Sequence, residues 1–367
     1  MIEDTTFGEI VSESGIGASD RPSMEMTVVS SLLAVHFGLM GRIERIATEK
    51  DDTFRLRAPS GDFLVKISPP DEDPDIVSLQ TAAVLHLEAH APDLPIQRLV
   101  RTLEGRESVL LPKRDGRFPR VMRVLEFMQG QLLADVSPSP VQLEDVGAML
   151  ARVTQALTTF DHPRAERRLI WDLQNFTQMR VMCDYVPDPD HRSAAEQVFD
   201  RFDAFVTPVL SRLPKQVVHG DFSPHNVVVD MASTNVVSGV IDFGDVVRSA
   251  VVFDVSVPMA NQLGVDASSP WSRPLDLLRG YLRATALSEI EIEVLADSTP
   301  ARLLLRALVA AWQAERSPDR HRYLLTHATH DWARLQGGLT VPRNRVVEEL
   351  HQLATSVRDK SEGVRNA

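Results

Sequence analysis

The chain has 367 residues, one cysteine (Cys183) and a net charge of −12, so it can build a large core, cannot form an intrachain disulfide and is a poor partner for nucleic acid. Hydrophobic residues make up 43% and charged residues 25%, the balance of a globular protein rather than a disordered one. No apolar run approaches a membrane span and the acidic start MIEDTTFGEI lacks the apolar stretch of a signal peptide, so the expected setting is a reducing cytoplasm with no membrane partner.

Residues 1–25 mix Ser, Gly, Asp and Glu with little periodicity and are expected to be a mobile extension. From Met26 to Phe37 apolar residues recur at helical spacing, and Gly38 stops the run. Strand-like segments follow at 42–47, 53–58 and 63–68, with Gly61-Asp62 as the tight turn between the last two. Lys66 sits in Phe63-Leu64-Val65-Lys66-Ile67. An ammonium flanked by apolar strand residues needs an anionic partner, and nucleotide phosphates would supply one. A helix is expected over 75–89, short strands near 100–103 and 108–111, a basic turn at 112–119, and a last strand at 120–127. Met128-Gln129-Gly130 breaks that strand.

Beyond Ser139 the pattern turns helical: 141–160, 176–185, 194–213 with Pro208 as a kink or boundary, 275–287, 289–297, 302–315, 320–336, and a further helical pattern from 346. Cys183 falls on a helical apolar pattern and reads as core. Trp171-Asp172 places an aromatic ring beside an acid, which suits an ammonium group, although Trp171 reads first as a core anchor. The expected division is an extension (1–25), an N-lobe (26–128), a helical C-lobe (129–340) with a catalytic loop at 217–245, and a C-terminal helix and tail (341–367).

The most informative stretch runs from Gln216 to Asp254. Two apolar β-type runs, 227–229 and 236–241, are joined by a turn-rich connection and flanked by the polar islands His219-Gly220-Asp221-Phe222-Ser223-Pro224-His225-Asn226 and Asp242-Phe243-Gly244-Asp245. An antiparallel hairpin carries its outer ends to one edge, so Asn226 and Asp242 should meet, with Asp221 beside them. Asp221 can accept the proton of an attacking hydroxyl. Asn226 and Asp242 offer oxygens to Mg²⁺, which takes few protein ligands plus phosphates. Asp-x-x-x-x-Asn, a strand pair and Asp-Phe-Gly is the protein-kinase order. A metal-dependent hydrolase built on His219, Asp221, His225 and Asp242 is the competing chemistry.

These motifs resemble the aminoglycoside phosphotransferase and choline kinase superfamily. Trp171-Asp172-Leu173, the HGDFSPHN run and Gly239-Val240-Ile241-Asp242-Phe243-Gly244-Asp245 are most similar to its hydroxylysine kinase group. The resemblance implies a bilobal α+β protein-kinase-like fold, with a small antiparallel-sheet N-lobe and a mostly helical C-lobe. It implies a Mg²⁺-dependent kinase moving the γ-phosphate of ATP or GTP to a hydroxyl of a small, cationic, amine-containing molecule. A hydroxylysine-like amino acid ranks first as acceptor, an aminoglycoside second, choline or ethanolamine third. By the same resemblance Asp221 is the catalytic base, Asn226 and Asp242 hold the metal, and Lys66, Glu126 and Met128 hold the nucleotide. His219 and Asp254 support the catalytic loop. Asp245, His225, Trp171 and Asp172 are candidates for acceptor contact, with capping of local structure as the alternative for Asp245 and Asp172. Two departures from the protein-kinase pattern stand out. The turn at 48–52 has no glycine, leaving the Thr53 hydroxyl and backbone amides to meet phosphate, and the helix after Lys66 offers Gln80 where a partner acid would be sought. A nucleotide-binding protein without catalysis is the alternative of a different class.

Overall fold

The computed structural model describes residues 5–15, 23–48, 50–113, 118–316 and 321–365. Part of the expected extension is a helix, α1 (Thr5–Ser14), and not a mobile tail. Its Phe7 and Ile10 are buried, with Phe7 edge-on to Trp312 at 6.1 Å between ring centroids. Ser14 Oγ accepts the Ile170 N–H at 2.7 Å, and Arg168 pairs with Glu9 and Glu13. Three inward residues in a polar stretch are too few to register as periodicity, yet they dock the helix. The rest of the extension, 1–4 and 16–22, lies outside the described residues, as do 114–117 of the basic turn and 366–367 of the charged end.

Helix α2 (Met26–Phe37) ends at Gly38, whose φ of 66° lets its N–H return to the Ala34 carbonyl. The sheet comprises β1 (Arg42–Ile46), β2 (Asp52–Ala58), β3 (Gly61–Ile67), then, beyond α3 (Pro74–His90), β4 (Leu99–Val100), β5 (Val109–Leu110) and β6 (Val121–Glu126). Its order is β1-β2-β3-β6-β4, with β5 also on β6 and every pairing antiparallel. Strand period fixes what each face holds. Phe54, Leu56, Val65, Ile67, Met122 and Val124 pack against Val29, Leu33 and Phe37 of α2. Lys66, paired with Arg123 across β3 and β6, must therefore face the other way.

β7 (Gln131–Leu132) follows, then α4 (Pro140–Ala156), which opens on a Ser139/Gln142 capping box. A long 3₁₀ segment (Leu173–Tyr185) leads to α5 (Pro189–Phe205), and Pro208 falls in a second, short 3₁₀ turn, confirming a boundary there. The 216–254 stretch and its flanks hold β8 (Lys215–Val218), β9 (Val227–Val229), β10 (Val237–Val240) and β11 (Val247–Ala250); helices α6 (Val251–Gln262), α7 (Ser272–Ala284), α8 (Glu289–Arg316), α9 (His321–Leu339) and α10 (Arg343–Arg365) complete the body.

The two helices expected at 289–297 and 302–315 are one, α8, running through Pro300. Proline leaves the carbonyl four residues back without its donor. Here that carbonyl is Ala296 O, and Arg201 Nη2 donates to it at 3.0 Å while Arg201 Nε donates to Asp297 at 2.9 Å. A neighbouring helix thus repairs the break, which local sequence does not reveal. Helices α4 and α7 cross at two glycines. A Cβ on Gly147 would stand 1.9 Å from Leu277 O, and one on Gly280 1.8 Å from Glu144 O. Gly280→Ala should lower unfolding free energy by about 3 kcal/mol, the upper range for overpacking. Gly337→Ala in α9, where nothing lies within 4 Å of the new Cβ, should be neutral or slightly stabilising. Thermal denaturation of the two variants checks this, and equal melting temperatures would refute the crossing argument.

Candidate active site

Pairing of β8 with β11, Val218 opposite Val247, lays the loop after β8 beside the turn before β11. The approach is close. Gly220 has φ of 81°, and a Cβ there would come within 2.1 Å of Asp245 O, so only glycine fits between His219 and Asp221. His219 is fully buried; its Nε2–H donates to Ile241 O at 3.2 Å and its Nδ1 accepts from Asp221 N at 3.3 Å. One donor and one acceptor describe a neutral imidazole. Burial holds its pKa below the ordinary value against the pull of Asp254. Asp254 accepts the Gly220 N–H at 2.9 Å, and burial pushes its carboxyl up to about 6. His219 and Asp254 brace the loop from behind, and neither ring nitrogen of His219 remains for a metal. Among the described residues no group of three or more His, Cys, Asp or Glu is arranged to hold one.

The hairpin ends meet as expected: Ile241 N–H donates to Asn226 O at 3.0 Å. Asn226 Nδ2 donates to Asp221 Oδ2 at 2.8 Å and to its carbonyl at 2.9 Å. Ser223 Oγ donates to the same carboxylate at 3.3 Å. Asp221 is pushed up to about 6 by burial, with Arg302 opposing. Asp242 has φ of 59°, the one positive φ outside glycine among the described residues, a strain of about 1–3 kcal/mol. Its Oδ1 accepts from Gly244 N at 3.1 Å and from Lys66 Nζ at 2.9 Å. The Lys66 charge holds Asp242 below the usual carboxylate range. Arg167 grips the same turn, donating to Gly244 O at 2.6 Å and Val246 O at 3.1 Å.

Lys66 has a second carboxylate, Asp51, at 3.2 Å. Burial opposes its charge, yet the two acids hold its pKa above the ordinary value. Gln80 does not serve Lys66. Arg123, cross-strand from Lys66, donates to Gln80 Oε1 at 2.7 Å, and Gln80 Nε2 donates to Gly244 O at 3.2 Å. The loop between β1 and β2, not α3, therefore supplies the extra acid. Thr53 is buried, its hydroxyl 3.1 Å from the hydroxyl of Thr48. At the end of β6, Glu126 N–H is tied to Arg98 O at 2.9 Å, and Glu126 O accepts from Gln97 Nε2 at 3.3 Å. Met128 packs over Gly239, where a Cβ would stand 2.9 Å from its Cε.

On the other side of Asp221 lies Arg302 of α8, whose Nη2 is 3.2 Å from Asp221 Oδ1 and whose guanidinium lies 5.1 Å from the Trp171 ring centroid. The sequence carried no signal for Arg302, one arginine among several on an amphipathic pattern. Asp245 is partly exposed, and its charge acts on both Asp221 and Arg302. His225 is exposed beside Asn226. Asp172 is not an acceptor contact: it is 7% exposed, accepts from Ser249 Oγ at 2.6 Å and Gln174 Nε2 at 2.8 Å, and caps the 3₁₀ segment. Its neighbour Ser249 belongs to β11, a strand not recognised in the sequence, which is why the capping role was hidden.

A model of the Phosphotransferase enzyme family matches residues 42–290. The hydroxylysine kinase of Mus musculus is 25% identical over 363 residues, covering 92% of this chain and 96% of that protein. Among solved structures, a microcompartment-associated aminopropanol kinase superposes with a TM-score of 0.66 over 86% of this chain and 98% of its own, at 15% identity. An amicoumacin kinase in complex with AMP-PNP, Ca²⁺ and Ami does so with 0.62 over 84% and 94%, also at 15% identity. These superpositions show the bilobal kinase-like fold.

The buried Asp254 makes a pH prediction. Its folded pKa of about 6 exceeds its ordinary 3.8, so the stability it contributes is complete below about pH 4 and is lost as pH rises through 6. Asp254→Asn keeps an oxygen for the Gly220 N–H and cannot ionise. Between pH 4 and 7.5 the difference in unfolding free energy should move in favour of the variant by on the order of 3 kcal/mol. Urea titrations at several pH values measure it; a constant difference would mean that Asp254 is not held neutral by burial.

Proposed function

The chain belongs to the phosphotransferase enzyme family and is a small-molecule kinase, and from that premise we propose that it moves the γ-phosphoryl group of ATP or GTP to the hydroxyl of a small hydroxylated amino acid, hydroxylysine first. One observation carries the reading. Asp221, held by Asn226 at 2.8 Å, and Asp242, held by Lys66 at 2.9 Å, lie near enough for the charge of one to act on the other. Near-full-length likeness to hydroxylysine kinase supports the acceptor class.

Asp221 is the base. Its carboxylate takes the hydroxyl proton as the acceptor oxygen forms its bond to phosphorus and the nucleoside diphosphate departs. Asn226 and Ser223 hold that carboxylate in one orientation. Lys66 exchanges a carboxylate partner for phosphate oxygens. Catalysis is then positioning and charge neutralisation rather than covalent chemistry. The donor set fits Mg²⁺: Asn226 turns its Nδ2 to Asp221, which leaves Oδ1 for a hard cation, and Asp242 stays anionic under Lys66. Mg²⁺ bound there would neutralise phosphate charge. Asp245 is placed to meet the ammonium of a cationic acceptor.

Incubation with ATP or GTP, Mg²⁺ and 5-hydroxy-L-lysine should release acceptor-dependent nucleoside diphosphate, and its absence across hydroxylated amino acids, aminoglycosides and choline would refute phosphoryl transfer. Asp221→Asn should lose about 10²–10⁴ in kcat with nucleotide KM little changed. The parent kcat/KM should fall as pH drops through about 6, where Asp221 takes up a proton. Asp242→Ala should abolish the Mg²⁺ dependence of nucleotide affinity; a titration showing equal dependence in parent and variant would remove Asp242 from the metal site.

A further inference from the structure

The feature least explained by phosphoryl transfer is Arg302. It is 7% exposed, yet it is poorly partnered. A guanidinium has five N–H donors. In Arg302 only Nη2 donates to a described residue, to Asp221 Oδ1 at 3.2 Å, and Nε is sealed from solvent without an acceptor. Two other arginines bonded to or borne on α8 differ. Arg201 reaches both Asp297 and Ala296 O, and Arg306 reaches both Asp331 and Asn261. A buried cation with one long bond does not recover its desolvation cost, and its remaining donors suit a second anion.

Geometry says where the anion belongs. The two oxygens of Asp221 face different partners: Oδ2 receives Asn226 and Oδ1 receives Arg302. Arg302 therefore meets the carboxylate oxygen of Asp221 that Asn226 leaves free. Trp171 covers the guanidinium at 5.1 Å and offers an apolar wall to whatever lies against it. We propose that Arg302, backed by Trp171, is a specificity-determining residue that binds the carboxylate of an amino-acid acceptor while the acceptor hydroxyl rests on Asp221. This rests on the phosphoryl-transfer reading above and names the chemistry of its acceptor.

Planar guanidinium and planar carboxylate match in shape, which an ammonium does not. The span is set as well. With ordinary hydrogen bonds on either side of the guanidinium, hydroxyl and carboxylate oxygens stand roughly 5–8 Å apart. A serine-like hydroxyl is too near its carboxylate for that span, whereas a hydroxyl two or three carbons beyond Cα reaches it. Asp245, whose charge acts on both Asp221 and Arg302, is placed for the ammonium of the same zwitterion.

The test compares 5-hydroxy-L-lysine with its decarboxylated counterpart, 1,5-diaminopentan-2-ol, as acceptors for ATP or GTP with Mg²⁺. The parent should prefer the amino acid by about 10²-fold or more in kcat/KM, the scale for leaving a buried polar group unpaired. Arg302→Met should collapse that ratio toward one through the amino-acid KM, and Arg302→Lys should recover part of it, with nucleotide KM unmoved in both. The ratio is insensitive to any change in the base that affects both acceptors alike. If Arg302→Met fails to fold, the parent ratio and Arg302→Lys decide. Equal use of both acceptors by the parent, or a preference that survives substitution, overturns the proposal. A rise confined to nucleotide KM overturns it in favour of a phosphate contact. No acceptor-dependent nucleoside diphosphate with any hydroxylated amine removes the phosphoryl-transfer reading and this proposal with it. Turnover only with carboxylate-free acceptors removes this proposal and the amino-acid acceptor and leaves phosphoryl transfer standing.

Discussion

Where the backbone at Gly220 lies against the carbonyl of Asp245, two loops share one volume, and the rest of the site depends on that approach. The β8–β11 pairing brings the loops together, and Gly220 with φ of 81° lets them close. Asp254 and His219 then tie the backbone of the first loop to α6 and to the end of β10. Arg167 and Gln80 tie the second loop at the Gly244 carbonyl. Rigid backbone on both sides keeps Asp221 and Asp242 in one place, and their own hydrogen bonds then orient the two carboxylates.

The two carboxylates are driven in opposite directions by their surroundings. Asp242 lies against the Lys66 ammonium at 2.9 Å, and that charge outweighs burial and keeps it ionised. Asp221 meets a charge only at 3.2 Å, so burial wins and its pKa rises to about 6. A permanently anionic group suits a cation, and one poised near neutrality suits proton transfer. Such a division of roles by environment rather than by residue type recurs wherever one cleft must hold both a ligand and a base.

The helical body supplies the far wall. Helix α8 carries Arg302 through a proline that would end most helices, and Arg201 keeps it continuous by taking the freed Ala296 carbonyl. Helix α1 packs on the segment holding Arg167 and Trp171, through Ser14 to Ile170 and through Glu9 and Glu13 to Arg168. Residues far from the chemistry in sequence thus fix the position of two groups that face it.

The catalytic stretch was legible because its chemistry is local. The hairpin between Asn226 and Asp242 is short, its strands are rich in valine, and antiparallel geometry leaves one way for its ends to meet. Lys66 was legible because a charge inside an apolar strand demands a partner. The capping role of Asp172, the acid that joins Lys66, the partners of Gln80 and the position of Arg302 were not legible. Each depends on which segments pack together across long sequence separations: Asp172 on β11, Asp51 on the closure of the β1–β2 loop, Gln80 on the register of β3 with β6, and Arg302 on the continuity of α8. Local residue pattern determines strands, hairpins and motif spacing, because those arise from backbone period and turn chemistry. Which charge meets which was decided by tertiary structure, because desolvation and pairing energies exist only once distant elements have been brought into contact.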